Sequence, residues 1–252
     1  MKKKSETDSP LNDVRIGQIT KAWADDRGLL ADYSNETGST NDMAKSEASE
    51  LEEPLKIYLT EAQTKGRGRK TNSWSTARAG SQLLSTWSFK IETRLSPLVS
   101  PLVGLALYRA ALATWPFLEW SLKAPNDLYL DEKKVAGLLI EVVSQGTAQR
   151  LIIGLGLNVF ESPADISTAT SIAEEMPKAI PLLGEDWIAF LDRWLFELSQ
   201  SLGREDFSIS LSEQKSLLKA LNDFPHLEDE YIAISEKGDL ATKDKKISWM
   251  DL

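Results

Sequence analysis

The sequence predicts an α+β fold in which helices pack on a largely antiparallel sheet, with a short β appendage at the C-terminal end. The two most apolar runs, residues 135–143 and 151–159, are joined through Gln145-Gly146 and are expected to form adjacent antiparallel strands. Within residues 82–91, Leu83, Ser85, Trp87 and Phe89 recur at every second position and would lie on one face of an extended chain, which predicts a further strand. Apolar residues at helical spacing over 99–107 and 187–198 predict core helices.

Local patterns predict the elements before the sheet centre. Residues 1–33 are polar and are expected to form a lead-in that contains one short helix at 16–23. Ser39 or Thr40 is a candidate N-cap for a helix that ends near residue 50, and capping alone would explain both hydroxyls. A strand at 55–61 is expected to lead into Gln63.

Between residues 118 and 123, apolar side chains recur at every second position, which predicts a strand that ends at Lys123. Pro125-Asn126-Asp127 predicts a turn, and 128–134 predicts a hairpin arm with its tip. The remaining predicted elements are helices at 166–175 and 211–221, strands at 231–235 and 247–250, and a turn at 236–239.

Composition excludes several kinds of site. The chain has no cysteine, which excludes disulfides, thiolate metal sites and a cysteine nucleophile. Its single histidine, His226, excludes a histidine-based metal cluster and lies in an acidic stretch typical of the surface. A formal net charge of -9 argues against an extended nucleic-acid surface. The basic N-terminus continues into polar residues, and no later apolar run is long enough for a membrane span, so we expect a cytoplasmic protein.

The run at 64–74 is positively charged in an otherwise acidic chain, because it contains four cations and no acid. Gly66 and Gly68 let main-chain N–H groups approach a ligand closely. Arg67 and Arg69 offer planar guanidinium groups suited to phosphate or carboxylate. One interpretation is a mobile loop that closes over an anionic small molecule, and the alternative is a solvated basic turn. Trp74 ends the loop and could be a core residue or could stack on a flat ring.

Glycines interrupt the two apolar strands at 137, 154 and 156, and a glycine within a strand often marks the close approach of another backbone or a ligand. Gly154-x-Gly156 lacks the third glycine of a dinucleotide-binding fingerprint, and the chain contains no phosphate-binding P-loop motif. The familiar glycine-rich nucleotide motifs are therefore not present.

The motifs, taken in order, resemble those of the biotin protein ligases over about residues 34–160. Each motif alone is weak, but the ordered set is specific. The matching segments are Ser39-Thr40-Asn41, Gln63 with Gly66-Arg67-Gly68-Arg69 and Trp74, Lys123 with Pro125-Asn126-Asp127-Leu128-Tyr129, Lys134-Val135-Ala136-Gly137 with Glu141, and Gly154-x-Gly156-x-Asn158.

The resemblance implies an α+β catalytic domain with a mixed, mostly antiparallel sheet, similar to class II aminoacyl-tRNA synthetases, and it implies a two-step reaction. Biotin and ATP would form biotinyl-5′-AMP and pyrophosphate, and the biotin would then pass to a lysine of a carboxylase's biotin carrier domain. On this interpretation residues 1–33 are a lead-in, 34–205 the catalytic domain and 206–252 an abbreviated C-terminal region.

The resemblance also assigns residues. Residues implied to contact biotin are Ser39, Thr40, Asn41, Gln63, Gly66, Arg67, Gly68, Arg69 and Lys123. Those implied on the nucleotide side are Arg69, Trp74, Lys123 and Asn158, with Lys123 and Arg69 as the catalytic cations. These cations would screen the repulsion between two anionic substrates and stabilise charge on the phosphoryl oxygens. ATP implies Mg²⁺, but sequence does not select its ligands among 38 acidic residues.

Three departures from the family pattern bear on function. Thr71-Asn72 replaces a second Gly-Arg pair, Ala124 replaces a tryptophan, and the C-terminal part is short for the usual SH3-like domain. No DNA-binding winged helix is expected and no apolar run is long enough to span a membrane, so neither DNA nor a membrane is an expected partner. Three alternatives remain open: a lipoate or octanoate ligase, a non-catalytic biotin-binding relative, and a generic nucleotide-binding module. Monomer and homodimer are both compatible with the sequence.

Overall fold

The computed structural model describes residues 15–93, 95–145, 148–204 and 206–252. The chain divides into two compact units. The first comprises Met1–Glu92 and Val135–Ile188, and the second comprises Thr93–Lys134 and Ala189–Leu252. Strand β6 and helix α5, whose bounds follow, each cross a boundary between these units. The domain boundaries expected at 33 and 205 stay predictions.

The first unit is built on a mixed sheet with the strand order β1-β2-β3-β7-β6. The strands are β1 (Leu30–Ser34), β2 (Leu55–Thr60), β3 (Gln82–Ile91), β6 (Lys133–Gln145) and β7 (Ala148–Asn158). β1 is parallel to β2, whereas the β2–β3, β3–β7 and β7–β6 pairs are antiparallel. The predicted mixed, mostly antiparallel sheet is therefore confirmed. The turn expected at Gln145-Gly146 lies partly outside the described residues.

The helices of the first unit are α1 (Ile16–Asp26), α2 (Thr40–Glu47) and α4 (Ile172–Glu175). α1 buries an apolar face, and the ring centroid of its Trp23 lies 5.9 Å from that of Trp87 on β3. The short helix predicted at 16–23 is thus confirmed and extended by three residues. The prediction of a helix over 166–175 was wrong, because only residues 172–175 are helical. A capping box between Ser171 and Glu174 starts the helix at that point.

The carboxylate of Glu61 is fully buried in the first unit. Its Oε1 accepts hydrogen bonds from the backbone N–H of Gln18, at 3.1 Å, and from the hydroxyl of Tyr33, at 2.7 Å. α1 has no side-chain cap of its own, so Glu61 satisfies one of the free N–H groups in its first turn. A residue that follows β2 therefore fixes the start of α1.

The second unit contains α3 (Val99–Thr114), β4 (Trp120–Lys123), β5 (Asp127–Leu130), α5 (Gly184–Leu202), α6 (Leu211–Asn222) and three short strands. β4 and β5 form an antiparallel hairpin in which Lys123 pairs with Asp127 across the predicted turn. Most of α3 is buried, as its uniform apolar composition requires. The helix at 99–107, the hairpin and the two later helices are confirmed.

The C-terminal strands are β8 (Ala233–Ile234), β9 (Asp239–Ala241) and β10 (Lys246–Ser248), which form an antiparallel sheet. The turn at 236–239 connects β8 to β9, a strand that the sequence did not predict. The strand expected to run to residue 250 ends at Ser248 and continues as a 3₁₀ helix, Trp249–Asp251. There the buried indole of Trp249 donates to the carbonyl of Pro125 at 2.9 Å, which holds this turn out of the sheet.

Candidate active site

The start of α2 brings three predicted biotin contacts into the first unit's interior. Ser39, Thr40 and Asn41 are almost fully buried. Ser39 occupies the N-cap position but makes no side-chain capping hydrogen bond. The predicted N-cap at Ser39 is therefore confirmed by position, but capping hydrogen bonds do not explain the two hydroxyls, because that of Thr40 contacts Thr86 and Gln63. Gln63 Oε1 accepts from the Thr40 backbone N–H at 2.8 Å.

A line of hydrogen bonds, here called the polar chain, continues from this pair. It consists of Gln63, Thr40, Thr86, Asn41 and Glu141. The Oγ1 of Thr86 lies 2.8 Å from Thr40 Oγ1 and 2.6 Å from Asn41 Oδ1. Asn41 Nδ2 donates to Glu141 Oε2 at 3.0 Å. The polar chain thus joins α2, the segment after β2, and strands β3 and β6.

Glu141 collects cations as well as the amide of Asn41. Its Oε1 lies 3.0 Å from Lys45 Nζ and 2.9 Å from Arg67 Nη2. Arg67 Nη1 also contacts Asp42, at 2.6 Å. Burial acts to raise the pKa of Glu141, but hydrogen bonds from Asn41, Lys45 and Arg67 outweigh it, so this pKa lies below its usual value. The carboxylate is therefore ionised at neutral pH.

The base of the glycine–arginine loop, defined as Gly66, Arg67 and Trp74, is held by backbone and side-chain contacts. The N–H of Trp74 donates to the Gly66 carbonyl at 3.0 Å, and Arg67 forms the ion pairs to Asp42 and Glu141 described above. Burial of Arg67 acts to lower its pKa, but the hydrogen bonds that its guanidinium donates to Asp42 and Glu141, and the negative charge of those carboxylates, leave that pKa raised.

The loop tip, residues 69–73, forms its own tight turn. Gly68 N–H donates to the Asn72 carbonyl at 2.9 Å, and Asn72 N–H donates to the Arg69 carbonyl at 3.0 Å. Lys70 adopts a positive φ of 56° at the turn. Residues 70–73 are exposed and Arg69 is half-buried.

Two strand glycines are confirmed as points of close approach. A Cβ at Gly154 would collide with the Asn41 side-chain amide, and one at Gly156 would lie 2.5 Å from the Trp74 ring. Each glycine therefore makes room for a predicted site residue on the surface of β7. Trp74 packs on Gly156, and its predicted role against adenine stays a prediction.

Asn158 is the buried end of β7, and both atoms of its amide already have protein partners. Its Oδ1 accepts from Gln82 Nε2 at 2.7 Å, and its Nδ2 donates to the Thr170 carbonyl at 2.8 Å. The described contacts give Asn158 a bracing position between β3 and the segment before α4. Its nucleotide-side role stays a prediction.

Lys123 belongs to the second unit, where it is exposed at the end of β4. Its Nζ lies 5.9 Å from the ring centroid of Tyr129 and 5.6 Å from that of Phe224. Lys123 and Ala124 border a cavity of about 280 Å³ that is also lined by Phe224 and His226. His226 is exposed, as expected. The aromatic faces stabilise an ammonium group that is otherwise open to solvent.

The structure brings most of the predicted site residues together within the first unit. Ser39, Thr40, Asn41, Gln63 and Arg67 belong to the polar chain or touch its members. Sequence reasoning gave no role to Thr86 and quoted Glu141 only as part of a motif. A threonine in the alternating pattern of β3 carries no signal of a partner 45 residues away.

No group of three or more histidine, aspartate or glutamate side chains that could hold a metal ion occurs within the described residues. Among these residues there is likewise no helix that has the length and hydropathy required to cross a membrane.

A family model described as the biotin/lipoate A/B protein ligase family matches residues 33–158. Over 149 residues the chain is 32% identical to a biotin–[acetyl-CoA-carboxylase] ligase of Mycobacterium tuberculosis, covering 57% of this chain and 54% of the relative. Over 139 residues it is 31% identical to the chloroplastic biotin–protein ligase 1 of Arabidopsis thaliana, covering 52% and 37%. The match thus spans about half or less of these relatives.

The fold is similar to that of the biotin protein ligase from Aquifex aeolicus in complex with biotin and ATP. The TM-score is 0.63 at 24% identity, with 86% of this chain and 95% of that chain covered. The family model covers half of the 252 residues and includes the whole polar chain and the glycine–arginine loop. The chain therefore belongs to the biotin/lipoate A/B protein ligase family.

Proposed function

We propose that the protein is an ATP-dependent biotin protein ligase. The observation that carries this proposal is the convergence of the buried residues Ser39, Thr40 and Asn41 with Gln63 and the base of the glycine–arginine loop in one polar region. Two relatives of this chain are named biotin ligases, and the related Aquifex structure contains biotin and ATP. Both points support biotin rather than lipoate as the acid.

In the first step a carboxylate oxygen of biotin attacks the α-phosphorus of ATP, and pyrophosphate leaves with the electrons of the broken P–O bond. In the second step the neutral amine of an acceptor lysine attacks the acyl carbon, AMP leaves, and the amine loses a proton. Arg69 and Lys123 are proposed to contact the phosphoryl oxygens, where they would stabilise charge in the transition state.

Mg²⁺ is proposed to arrive with ATP. Phosphate oxygens and one or two carboxylates usually complete a magnesium site of this kind, without a dedicated protein cage. The metal would offset the negative charge of the polyphosphate chain.

The acceptor is proposed to be a biotin carrier domain of acetyl-CoA carboxylase or of a related carboxylase, because one relative is named for that carboxylase. We propose no DNA or membrane partner and a cytoplasmic location. A monomer and a homodimer both accommodate this reaction.

The experiment that tests the proposal is pyrophosphate release from ATP with biotin, with lipoate and with neither acid, followed by addition of a biotin carrier domain. Biotin-dependent release and labelling of the carrier lysine are the expected results. Release that depends on lipoate would make the protein a lipoate-type ligase. Tight binding of biotin without release would identify a non-catalytic biotin-binding protein, and attention would then turn to Thr71, Asn72 and Ala124.

The role of Lys123 is testable with Lys123→Ala. Loss of a charge-assisted contact in the transition state should lower the rate of biotinyl-AMP formation by about 100- to 1000-fold. Lys133→Ala is the matched control, because Lys133 is an exposed lysine of the same unit, at the start of β6, with no assigned role. Biotinyl-AMP formation at the parental rate in Lys123→Ala would remove Lys123 from the mechanism.

A further inference from the structure

We propose that Thr86 and Glu141 are positioning residues that fix the hydrogen-bonding polarity of the biotin-binding residues, so that they match a cyclic urea. Neither side chain is assigned to touch substrate. The effect of both passes through Asn41, Thr40 and Gln63, and that of Glu141 also passes through its ion pair with Arg67. The inference rests on the proposed function, since it takes biotin as the ligand.

The polarity begins at Glu141. An ionised carboxylate can only accept hydrogen bonds, so the group of Asn41 that faces it must be the donating Nδ2. The same Nδ2 lies 3.4 Å from the carbonyl of Leu139, a second acceptor. The Asn41 amide therefore has one orientation, with Oδ1 directed at Thr86.

Thr86 passes this polarity on. Its hydroxyl has a single hydrogen, and Asn41 Oδ1, at 2.6 Å, can only accept, so that hydrogen points to Asn41. The 2.8 Å contact between Thr86 and Thr40 then requires the Thr40 hydroxyl to be the donor. Thr86 is fully buried, so water does not supply a competing partner.

The same reasoning fixes which groups of Thr40 and Gln63 donate hydrogen bonds and which accept them. Both the Thr86 oxygen, at 2.8 Å, and Gln63 Oε1, at 3.3 Å, lie within reach of the Thr40 hydroxyl hydrogen. The shorter contact takes that hydrogen, so the Thr40 oxygen can offer only lone pairs to a ligand. Gln63 Oε1 accepts from the Thr40 backbone N–H at 2.8 Å, which assigns Nε2 as the opposite, donating end of the amide. The predicted biotin contacts thus present one acceptor and one donor side by side.

This pattern complements a cyclic urea, which carries N–H donors next to a C=O acceptor. The dithiolane ring of lipoate carries neither group and would leave both protein groups unpaired. Leaving buried polar groups unpaired is costly, which is how a polar site rejects a ligand that lacks them. The polar chain therefore discriminates between the two acids by their rings, and the carboxylate tail that both acids carry plays no part in this selection.

The primary test compares Thr86→Val, which keeps the side-chain shape but loses the hydroxyl, with Thr86→Ser, which keeps the hydroxyl. Biotin affinity is measured by calorimetry, and KM and kcat by pyrophosphate release. In Thr86→Val we expect the biotin Kd and KM to rise about 10- to 100-fold, since Asn41 and Thr40 lose their shared partner. In Thr86→Ser both should stay within about threefold of the parent, because the hydrogen-bonding group is retained.

A ligand change gives a readout that a purely structural role would not move. Biotin methylated at a ureido nitrogen lacks a donor, so the parent should bind it at least about tenfold more weakly than biotin. Thr86→Val should show little of this discrimination, because Thr40 no longer has a fixed polarity. The KM for ATP and kcat should change by less than about threefold, since Thr86 touches neither predicted catalytic cation.

Glu141→Gln supplies a second variant, and Glu47→Gln is its matched control. Glu47 is another first-unit carboxylate, and it accepts from Lys56 Nζ at 2.6 Å and from Tyr58 at 2.9 Å outside the polar chain. Glu141→Gln should weaken biotin binding about tenfold, since a glutamine amide can face either end of the Asn41 amide and no longer forms an ion pair with Arg67. Glu47→Gln should leave it unchanged.

The proposal is overturned if folded Thr86→Val binds biotin and its methylated analogue as the parent does, or if Thr86→Ser is as impaired as Thr86→Val. A parent that binds biotin but releases no pyrophosphate would refute the ligase function alone, and the Kd comparison would still decide the polarity. A parent that does not bind biotin overturns both.

Discussion

The base and the tip of the glycine–arginine loop differ in how they are held, although only a few residues separate them. At the base, Arg67 contacts two carboxylates and Trp74 packs on a strand glycine. At the tip, Asn72 forms backbone hydrogen bonds with Arg69 and with Gly68, the residue before the tip. The base is therefore packed on the sheet, whereas the backbone of the tip closes a turn that is joined to the base through a bridge between Arg67 and Ser73.

This difference suggests a division of labour. Groups that recognise a small ring benefit from preorganisation, because ordering costs are then met during folding rather than during binding. A segment that covers an adenylate must admit two substrates and release a product, so it benefits from fewer fixed contacts. The variants below challenge this division, beginning with the largest expected effect.

Arg69→Ala tests the tip. If Arg69 contacts the phosphoryl group, its loss should slow biotinyl-AMP formation about 100- to 1000-fold. The thermal midpoint should stay close to the parental value, because the neighbouring residues 70–73 of the tip are exposed. Lys70→Ala is the matched control, since Lys70 is the exposed cation next in the chain, and its rate should stay within about threefold. Equal losses in both variants would indicate a general effect of loop charge.

Gly154→Ala tests the preorganised part of the site, because Gly154 lies against Asn41 of the polar chain. The new methyl would collide with the Asn41 amide, so either the polar chain shifts or the sheet opens locally. We expect a loss of about 1–3 kcal/mol in the free energy of unfolding, together with a higher KM for biotin. Chemical denaturation and steady-state kinetics measure these two effects.

Gly156→Ala is the comparison for that variant. Its methyl would meet the Trp74 ring rather than the polar chain. The KM for ATP should then rise more than the KM for biotin, if Trp74 lies on the nucleotide side. The same KM pattern in both variants would contradict the separation between the two glycines.

How far the sequence predicted this arrangement depends on the distance over which each residue acts. The strands at β3, β6 and β7 were predictable because their apolar periodicity is local. β1 was not, because Leu30–Ser34 is a short edge strand whose exposed and buried positions do not alternate. Partnership with β2 is what orders it.

The site shows the same limit. The hydroxyls of residues 39 and 40 resemble caps from local spacing, but the partner of Thr40 lies on β3, 46 residues away. Glu141 meets Arg67 across 74 residues, so no local pattern reveals their ion pair. Residue types could be predicted from the sequence, whereas the order of hydrogen bonds required the fold.

Glu213→Gln tests whether stability can be changed away from the site. Glu213 is buried in the second unit and lies beside Arg204. Burial acts to raise the pKa of Glu213, but hydrogen bonds from Arg204 and Ser210 outweigh it and lower the pKa to about 2. A depressed folded-state pKa gives stability that is present above the unfolded pKa and is lost as pH falls toward 2.

The parent should therefore lose about 2–3 kcal/mol more than Glu213→Gln on acidification from pH 5 to pH 2. Urea unfolding over that range measures the difference, with activity at neutral pH unchanged. Asp223→Asn is the control, since its ion pair with Lys219 is exposed and should contribute less than about 1 kcal/mol. If Asp223→Asn reduced the acid-induced loss of unfolding free energy as much as Glu213→Gln does, the assignment to Glu213 would be refuted.

The smallest effect is expected from restoring a second Gly-Arg pair at the tip with the double substitution Thr71→Gly and Asn72→Arg. Both positions are exposed, and the turn uses the Asn72 backbone rather than its side chain. The positive φ belongs to Lys70, so glycine at 71 only adds freedom to the unfolded loop, whereas arginine at 72 adds a cation.

These two changes oppose each other, so biotinyl-AMP should dissociate no more than about threefold more slowly than from the parent. Release of radiolabelled adenylate after dilution measures that rate. Retention that improved more than about tenfold would mean that the tip, and not the preorganised base, controls how long the intermediate stays bound. The division between base and tip would then have to be reversed for the adenylate while it still held for biotin.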